Sequence, residues 1–346
     1  LIKKWDFNGG WRKFIMVNFI IHRIITLIPV LFVVSIISFI IIQLPPGDYL
    51  TSYIANLSAT GEKVEMEIVE ALRKQYALDR PIYIQYFKWL WRILHGDLGY
   101  SFEWNKPVND LIWNRLGMTL ALSAFTLLFT WAVAVPIGIY SATHQYSAGD
   151  YFFTFIGFIG LATPSFLLAL VIMWVGFAYL GLSVGGLFSS EYASAPWSLG
   201  KFVDLLKHVW IPMVIVGTSG TASLIRIVRG NLLDELKKQY VITARAKGAS
   251  EVILLFKYPV RVAINPLVST VGWTLPELFS GIVIVAVVLS LPTEGPMLLQ
   301  ALLTQDMYLA GSFVMILALL TVIGTLISDL LLAWIDPRIR FGGREG

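Results

Sequence analysis

The stretch Leu116-Gly-Met-Thr-Leu-Ala-Leu-Ser-Ala-Phe-Thr-Leu-Leu-Phe-Thr-Trp-Ala-Val-Ala-Val-Pro-Ile-Gly-Ile-Tyr-Ser-Ala-Thr143 contains no Asp, Glu, Lys or Arg, and a helix crossing a bilayer needs about 20 such residues. It is not alone. Ile24 to Gly47, Tyr151 to Ser190, Val209 to Ile225 and Met307 to Ser328 are also free of these charges, and Val262 to Thr293 is interrupted only by Glu277. The whole chain agrees: 57% of its 346 residues are hydrophobic and 14% charged, with mean hydropathy +0.73, whereas soluble domains carry about 25% charged residues. The fold class expected is therefore an all-α polytopic membrane protein with six transmembrane helices, at 17–43, 116–141, 151–181, 209–229, 262–290 and 308–335.

Lys and Arg in short flanking segments set membrane orientation because they resist translocation. Lys3, Lys4, Arg12, Lys13 and Arg23 precede or open the first helix against Asp6 alone, and the loop after the fourth helix carries Arg226, Arg229, Lys237, Lys238, Arg245, Lys247, Lys257 and Arg261 against three acids. Arg338, Arg340 and Arg344 lie in the tail. With six helices all three segments share one side, which places the N and C termini in the cytoplasm. The domain plan is a cytoplasmic segment 1–16, a first helix 17–43, an extracytoplasmic helical insertion 44–115, a core 116–335 with a cytoplasmic loop 230–261, and a cytoplasmic tail 336–346. The insertion has eight basic and nine acidic residues, a balance that long translocated segments tolerate. The first apolar run outlasts a signal-peptide core and no Ala-x-Ala site closes it, so it is expected to stay as an anchor.

Several functions are excluded at once. The chain has no Cys, so it has no thiolate site, and its four His fall in separate segments without metal-ligand spacing. No Gly-x-x-x-x-Gly-Lys-Ser/Thr loop or Gly-x-Ser-x-Gly elbow occurs. The net charge of +4 follows from topology and does not imply nucleic acid. No metal, cofactor or catalytic group is expected on this chain.

The loop is where residue chemistry is most specific. Residues 230–247 are proline-free helix formers, Gly248 can take the left-handed conformation that ends a helix, and Ser250 can cap a second helix that opens with Glu251 at its positive end. Ala244, Ala246, Gly248 and Ala249 would let a partner approach closely, and Arg245 and Lys247 could bond its carbonyls or carboxylates. The same residues also suit an ordinary basic loop obeying the positive-inside rule. In the insertion, Val64 to Tyr76 is amphipathic and Pro81 to Leu94 is rich in aromatics, which suits a cap on the outer leaflet or plain packing on the membrane helices. Pro136, Pro164, Pro212, Pro266 and Pro276 lie in or beside the spans, as gating kinks or as the ordinary prolines of membrane helices. Glu277 and Asp329 are carboxylates within the spans. Glu277, with Pro164 and Ser165, is a candidate for the substrate pathway; it could equally be protonated, paired with a neighbour, or near headgroups.

Tyr240-Val-Ile-Thr-Ala-Arg-Ala-Lys-Gly248-Ala-Ser-Glu251 resembles the coupling segment of binding-protein-dependent ABC importers, in the Thr-Ala-Arg-Ala-Lys-Gly form of the dipeptide/oligopeptide permease family. Leu44-Pro-Pro-Gly-Asp48, Leu78-Asp-Arg-Pro-Ile-Tyr-Ile-Gln85, Gly96-Asp-Leu-Gly-Tyr-Ser101, Thr163-Pro-Ser-Phe166 and Asp336-Pro-Arg-Ile-Arg340 are similar to that family's other motifs, in the same order. Ile242 and Thr243 stand where the general motif has Glu and Ala, and its trailing Leu-Pro is matched only loosely by Tyr258-Pro259 or Asn265-Pro266. The resemblance implies a multi-pass permease subunit of the cell inner membrane. It implies as partners a homologous second permease, two P-loop ATPase subunits that hold ATP and Mg, and an external solute-binding protein. Tyr240, Thr243, Ala244, Arg245, Ala246, Lys247, Gly248, Ala249 and Ser250 would make the ATPase contact. Peptides are the implied substrate, with oligosaccharides or another small solute as the alternative; an ion-coupled secondary transporter using Glu277 is the alternative class.

Overall fold

A computed structural model describes residues 9–43, 70, 73–74, 79–101, 103–181, 184–267, 281–304 and 306–335. Glu277, Pro276, the Leu44–Asp48 motif, most of Val64–Tyr76 and the signature from Asp336 lie outside them. Helices dominate: α1 (Gly9–Gln43), α2 (Ile82–Leu94), α3 (Val108–Thr143), α4 (Ala148–Ala162), α5 (Ser165–Leu180), α6 (Ser190–Ala193), α7 (Leu199–Leu236), α8 (Gln239–Ala246), α9 (Glu251–Lys257), α10 (Pro259–Ala263), α11 (Glu294–Leu303) and α12 (Met307–Ile335). Residues 281–288 are helical too. Among the described residues three helices are long and apolar enough to cross a membrane, within α3, α7 and α12, and four if the bent pair α4–α5 is one span.

The structure redraws several of the expected boundaries. The helix expected at 116–141 starts at Val108, because Val108, Leu111 and Ile112 are apolar at helical spacing and all buried although charges interrupt them. The helix expected at 209–229 runs from Leu199 to Leu236, started by Ser198, whose hydroxyl accepts from Lys201 N at 3.2 Å. The run 151–181 is not one straight helix: α4 and α5 meet at 103°. Pro164 has no N–H to give and drives Thr163 into an extended conformation (φ −88°, ψ 119°). The insertion is not wholly helical. Gly96 and Gly99 have positive φ, which stops α2, and a two-residue antiparallel ladder follows, with β1 (Tyr100–Ser101) paired to β2 (Lys106–Pro107).

The chain divides into two compact units, one of residues 1–24, 120–291 and 323–346, the other of 25–119 and 292–322. In the first, α7 buries Leu205, Val209, Ile215, Leu224, Val228 and Leu232; Leu224 and Val228 pack with Ala134 in one cluster and Leu232 with Ala142, Val260 and Ala263 in another. Lipid tails are as apolar as Leu, so close approach must supply the cohesion that water supplies elsewhere. Small residues permit it: a Cβ on Gly160 of α4 would sit 2.6 Å from Thr218 Cγ2, and one on Gly138 of α3 would sit 2.7 Å from Val228 Cβ. Asp329 is paired with Arg23 at 3.1 Å, which answers the cost of a carboxylate within a span.

In the second unit Leu98, Val108, Ile112, Met297, Leu309 and Phe313 form one core, and Phe39, Tyr86 and Trp89 another. Several polar groups inside it are matched. Ser35 Oγ and Tyr86 Oη are 2.8 Å apart, Ser312 Oγ donates to Leu98 O at 3.2 Å, and buried Asp306 accepts from Ser101 Oγ and from Leu309 N.

Candidate functional site

Residues 239–257 form a tight elbow. Backbone hydrogen bonds run from Ala249 N to Ala244 O at 3.3 Å and from Gly248 N to Arg245 O at 3.0 Å. That pair, six-to-one enclosing five-to-two, is a Schellman closure, which needs a left-handed residue just past the helix. Gly248 is that residue, with φ +82°. The expected stop is thus where it was read. The expected cap is different: Ser250 takes the N-cap backbone conformation of α9 but its hydroxyl makes no capping bond.

Arg245 also departs from expectation. Instead of standing free for a partner, its guanidinium donates to both carboxylate oxygens of Glu251, Nε to Oε1 at 2.6 Å and Nη2 to Oε2 at 3.0 Å, across the turn. The pair raises the affinity of Arg245 for its proton and holds Glu251 below the usual carboxylate range, each through the hydrogen bond to the other. Both are exposed, so the pair orients the two helices more than it stabilises the fold. Lys247 makes no ion pair among the described residues and is exposed.

The elbow is anchored by two side chains, Val241 and Leu254, both fully buried. Thr243 Oγ1 donates back to Gln239 O at 2.8 Å, and Tyr240 donates its hydroxyl to the Glu235 carboxylate. Partial burial and that carboxylate push Tyr240 up to about 12, so it remains a neutral donor. Around these anchors Tyr240, Ile242, Val252, Ile253 and Phe256 stay exposed. Five large apolar side chains on two short, charged helices make a surface that water covers poorly. The sequence reading missed Val252, Ile253 and Phe256, although their order in α9 around buried Leu254 was the signal.

Pro164 and Ser165 sit at the α4–α5 break, Pro164 as the N-cap of α5 and Ser165 as its first residue. Glu277 lies outside the described residues. Two features were overlooked. Asp150, buried, accepts from Arg229 through Nε at 2.9 Å and Nη2 at 2.8 Å, joining the start of α4 to α7; Asp150 ends one charge-free run and Arg229 lies three residues after Arg226, which ends another, and that was the available signal. Glu294 and Thr293 open α11 with buried oxygens that have no hydrogen-bond partner among the described residues. Burial pushes Glu294 up to about 7.

Comparison with known proteins gives a consistent picture. The family model for the binding-protein-dependent transport system inner membrane component matches residues 134–341, and the N-terminal model of the same kind of membrane component matches 16–123. The chain is 34% identical over 328 residues to the oligopeptide transport system permease protein AppB of Bacillus subtilis (strain 168), covering 94% of this chain and 100% of that protein. It is 29% identical to the dipeptide transport system permease protein DppB of Alkalihalophilus pseudofirmus, covering 94% and 100%. It is also 29% identical to the inner membrane ABC transporter permease protein YejB of Escherichia coli O157:H7, covering 94% and 99%.

Proposed function

The chain belongs to the family of binding-protein-dependent transport system inner membrane components, and from that premise we propose that it forms half of the pathway by which an ABC importer brings peptides across the inner membrane. The other half is a homologous permease, and a solute-binding protein delivers the peptide from outside. Six spans with both termini in the cytoplasm complete the architecture. This chain hydrolyses no ATP; two partner ATPases hold ATP and Mg and do so.

The observation that carries the reading is the elbow at Gly248. A two-helix corner held by a Schellman closure and a bidentate ion pair moves as one piece, and its exposed Tyr240, Ile242, Val252, Ile253 and Phe256 offer an apolar surface to a partner. Closure of the ATPases would displace that piece, and α9 and α10 would pass the displacement to α7. Only a contact that differs between the two states of the assembly can shift the equilibrium between them. Peptide is favoured as substrate because the similar permeases named above are oligopeptide and dipeptide proteins.

Co-expression with the neighbouring genes, mild-detergent purification on this chain and mass spectrometry test the assembly. Two P-loop ATPases and a second permease are expected, and Phe256→Asp should lower ATPase recovery several-fold. Arg245→Glu should lower it too, and the exchange Arg245→Glu with Glu251→Arg should restore it, because the pair's task is to hold the corner. A chain that purifies alone and moves solute without ATP would overturn the reading.

A further inference from the structure

We propose that the cavity at the start of α11 is a binding site for a short zwitterionic peptide, its free carboxylate seated against Arg115 and Thr293. This rests on the peptide reading above and adds a place where the peptide is held. The cavity has a volume of about 340 Å³ and is lined by Glu103, Trp104, Arg115, Thr293, Met297 and Gln300, with Pro296. That volume lies at the lower end of the range of about 300–1,000 Å³ for small-molecule sites.

Three features point to an anion at one end. Thr293 is fully buried and its hydroxyl has no hydrogen-bond partner among the described residues. It occupies the N-cap of α11 yet makes no capping bond, so its donor is unspent at the wall of the cavity that the residue lines. The N-terminus of a ten-residue helix adds partial positive charge at the same point. Arg115, half-buried on α3, forms no ion pair among the described residues, and its planar fork suits a carboxylate. Neither Glu103 nor Glu294 neutralises it.

Glu103 lines the same cavity with the opposite charge, as an ammonium would require. Trp104 and Met297 supply apolar wall for a side chain, and Gln300 an amide for a peptide group. A neutral sugar could hydrogen-bond Arg115 and Glu103 but would leave both charges without a counter-charge, and a simple cation would meet the guanidinium. A molecule with an anion at one end, a cation at the other and an apolar branch between satisfies every group.

The full chain in lipid nanodiscs, titrated with Ala-Phe by calorimetry, tests the site. The dipeptide should bind the unaltered chain, Arg115→Gln should weaken binding at least tenfold, Arg115→Lys should recover part of it, and Thr293→Val should cost several-fold. Ala-Phe amide should bind the unaltered chain at least tenfold more weakly than the free acid and be indifferent to Arg115→Gln. N-acetylation should weaken binding to the unaltered chain and not to Glu103→Gln. Absence of binding, equal affinity for acid and amide, or an Arg115→Gln chain that binds like the original would overturn the site. Peptide uptake by the assembled importer, measured separately, distinguishes the two claims: uptake with a failed titration removes only this site, whereas uptake of sugars and not peptides removes the reading beneath it.

Discussion

Two corners of the chain close a helix with the same backbone motif and reach it from different residues. At the elbow, Ala249 N bonds Ala244 O and Gly248 N bonds Arg245 O. Before α11, Leu291 N bonds Ala286 O at 2.8 Å and Ser290 N bonds Val287 O at 3.3 Å. The left-handed position is Gly248 (φ +82°) in the first and Ser290 (φ +51°) in the second. Glycine takes that conformation without steric cost, while a residue with a Cβ pays about 1 kcal/mol or more. The corners also treat carboxylates differently: the elbow pairs Glu251 in water, and the second buries Glu294 with both oxygens unpartnered. One corner is relaxed and exposed; the other carries a left-handed serine, and a few residues further along the chain an acid is buried without a partner among the described residues.

The largest expected effect comes from Glu294. Burial raises its pKa from the ordinary carboxylate value of 4.5 to about 7, so the folded chain binds more protons than the unfolded one between those values. Stability is therefore full below about pH 4.5 and falls as pH rises through about 7, by about 3 kcal/mol as the linkage of that shift. Thermal unfolding in detergent at pH 5 and pH 8 should show the loss, and Glu294→Gln should flatten it. A pH-independent midpoint in the unaltered chain would remove the contrast between the corners.

Next in size is Gly248. A Cβ there meets nothing within 4 Å, so Gly248→Ala isolates the backbone cost and should destabilise by about 1 kcal/mol. Gly248→Asn, a residue that tolerates the left-handed region, should cost less. The mirror experiment is Ser290→Gly, expected to relieve part of the strain, offset by unfolded-chain entropy, and so to change stability by under about 1 kcal/mol. If Gly248→Ala is silent, the shared motif does not govern the elbow. The smallest effect is expected from Arg245→Gln: exposed pairs contribute little to stability, so the unfolding midpoint should not move, while recovery of partner ATPases falls.

This contrast also marks what was legible in the sequence. The helix stop at Gly248 could be read because glycine announces a left-handed residue locally, and the long apolar runs could be read because a bilayer demands them. Ser290 announces nothing. The break at Thr163-Pro164 could be anticipated as a kink, but not as 103°, since that angle is set by packing of α4 on α7. The pairs Arg245–Glu251 and Asp150–Arg229 differ in the same way. The first spans six residues and lies within reach of a local reading that saw both charges yet gave Arg245 to a partner and Glu251 to the helix dipole; the second spans 79 and depends on which helices meet. Thr293 and Arg115 are far apart in sequence and look ordinary until the fold places them around one cavity.

In the proposed importer the elbow transmits work from partner ATPases to the helices. The direct test is peptide moved per ATP hydrolysed by the assembled importer in proteoliposomes, compared between the original chain and Gly248→Pro, since proline is held near φ −65° and cannot adopt +82°. Assembly with continued ATP hydrolysis and uptake reduced at least tenfold is the predicted result. Full uptake with the same stoichiometry would contradict it.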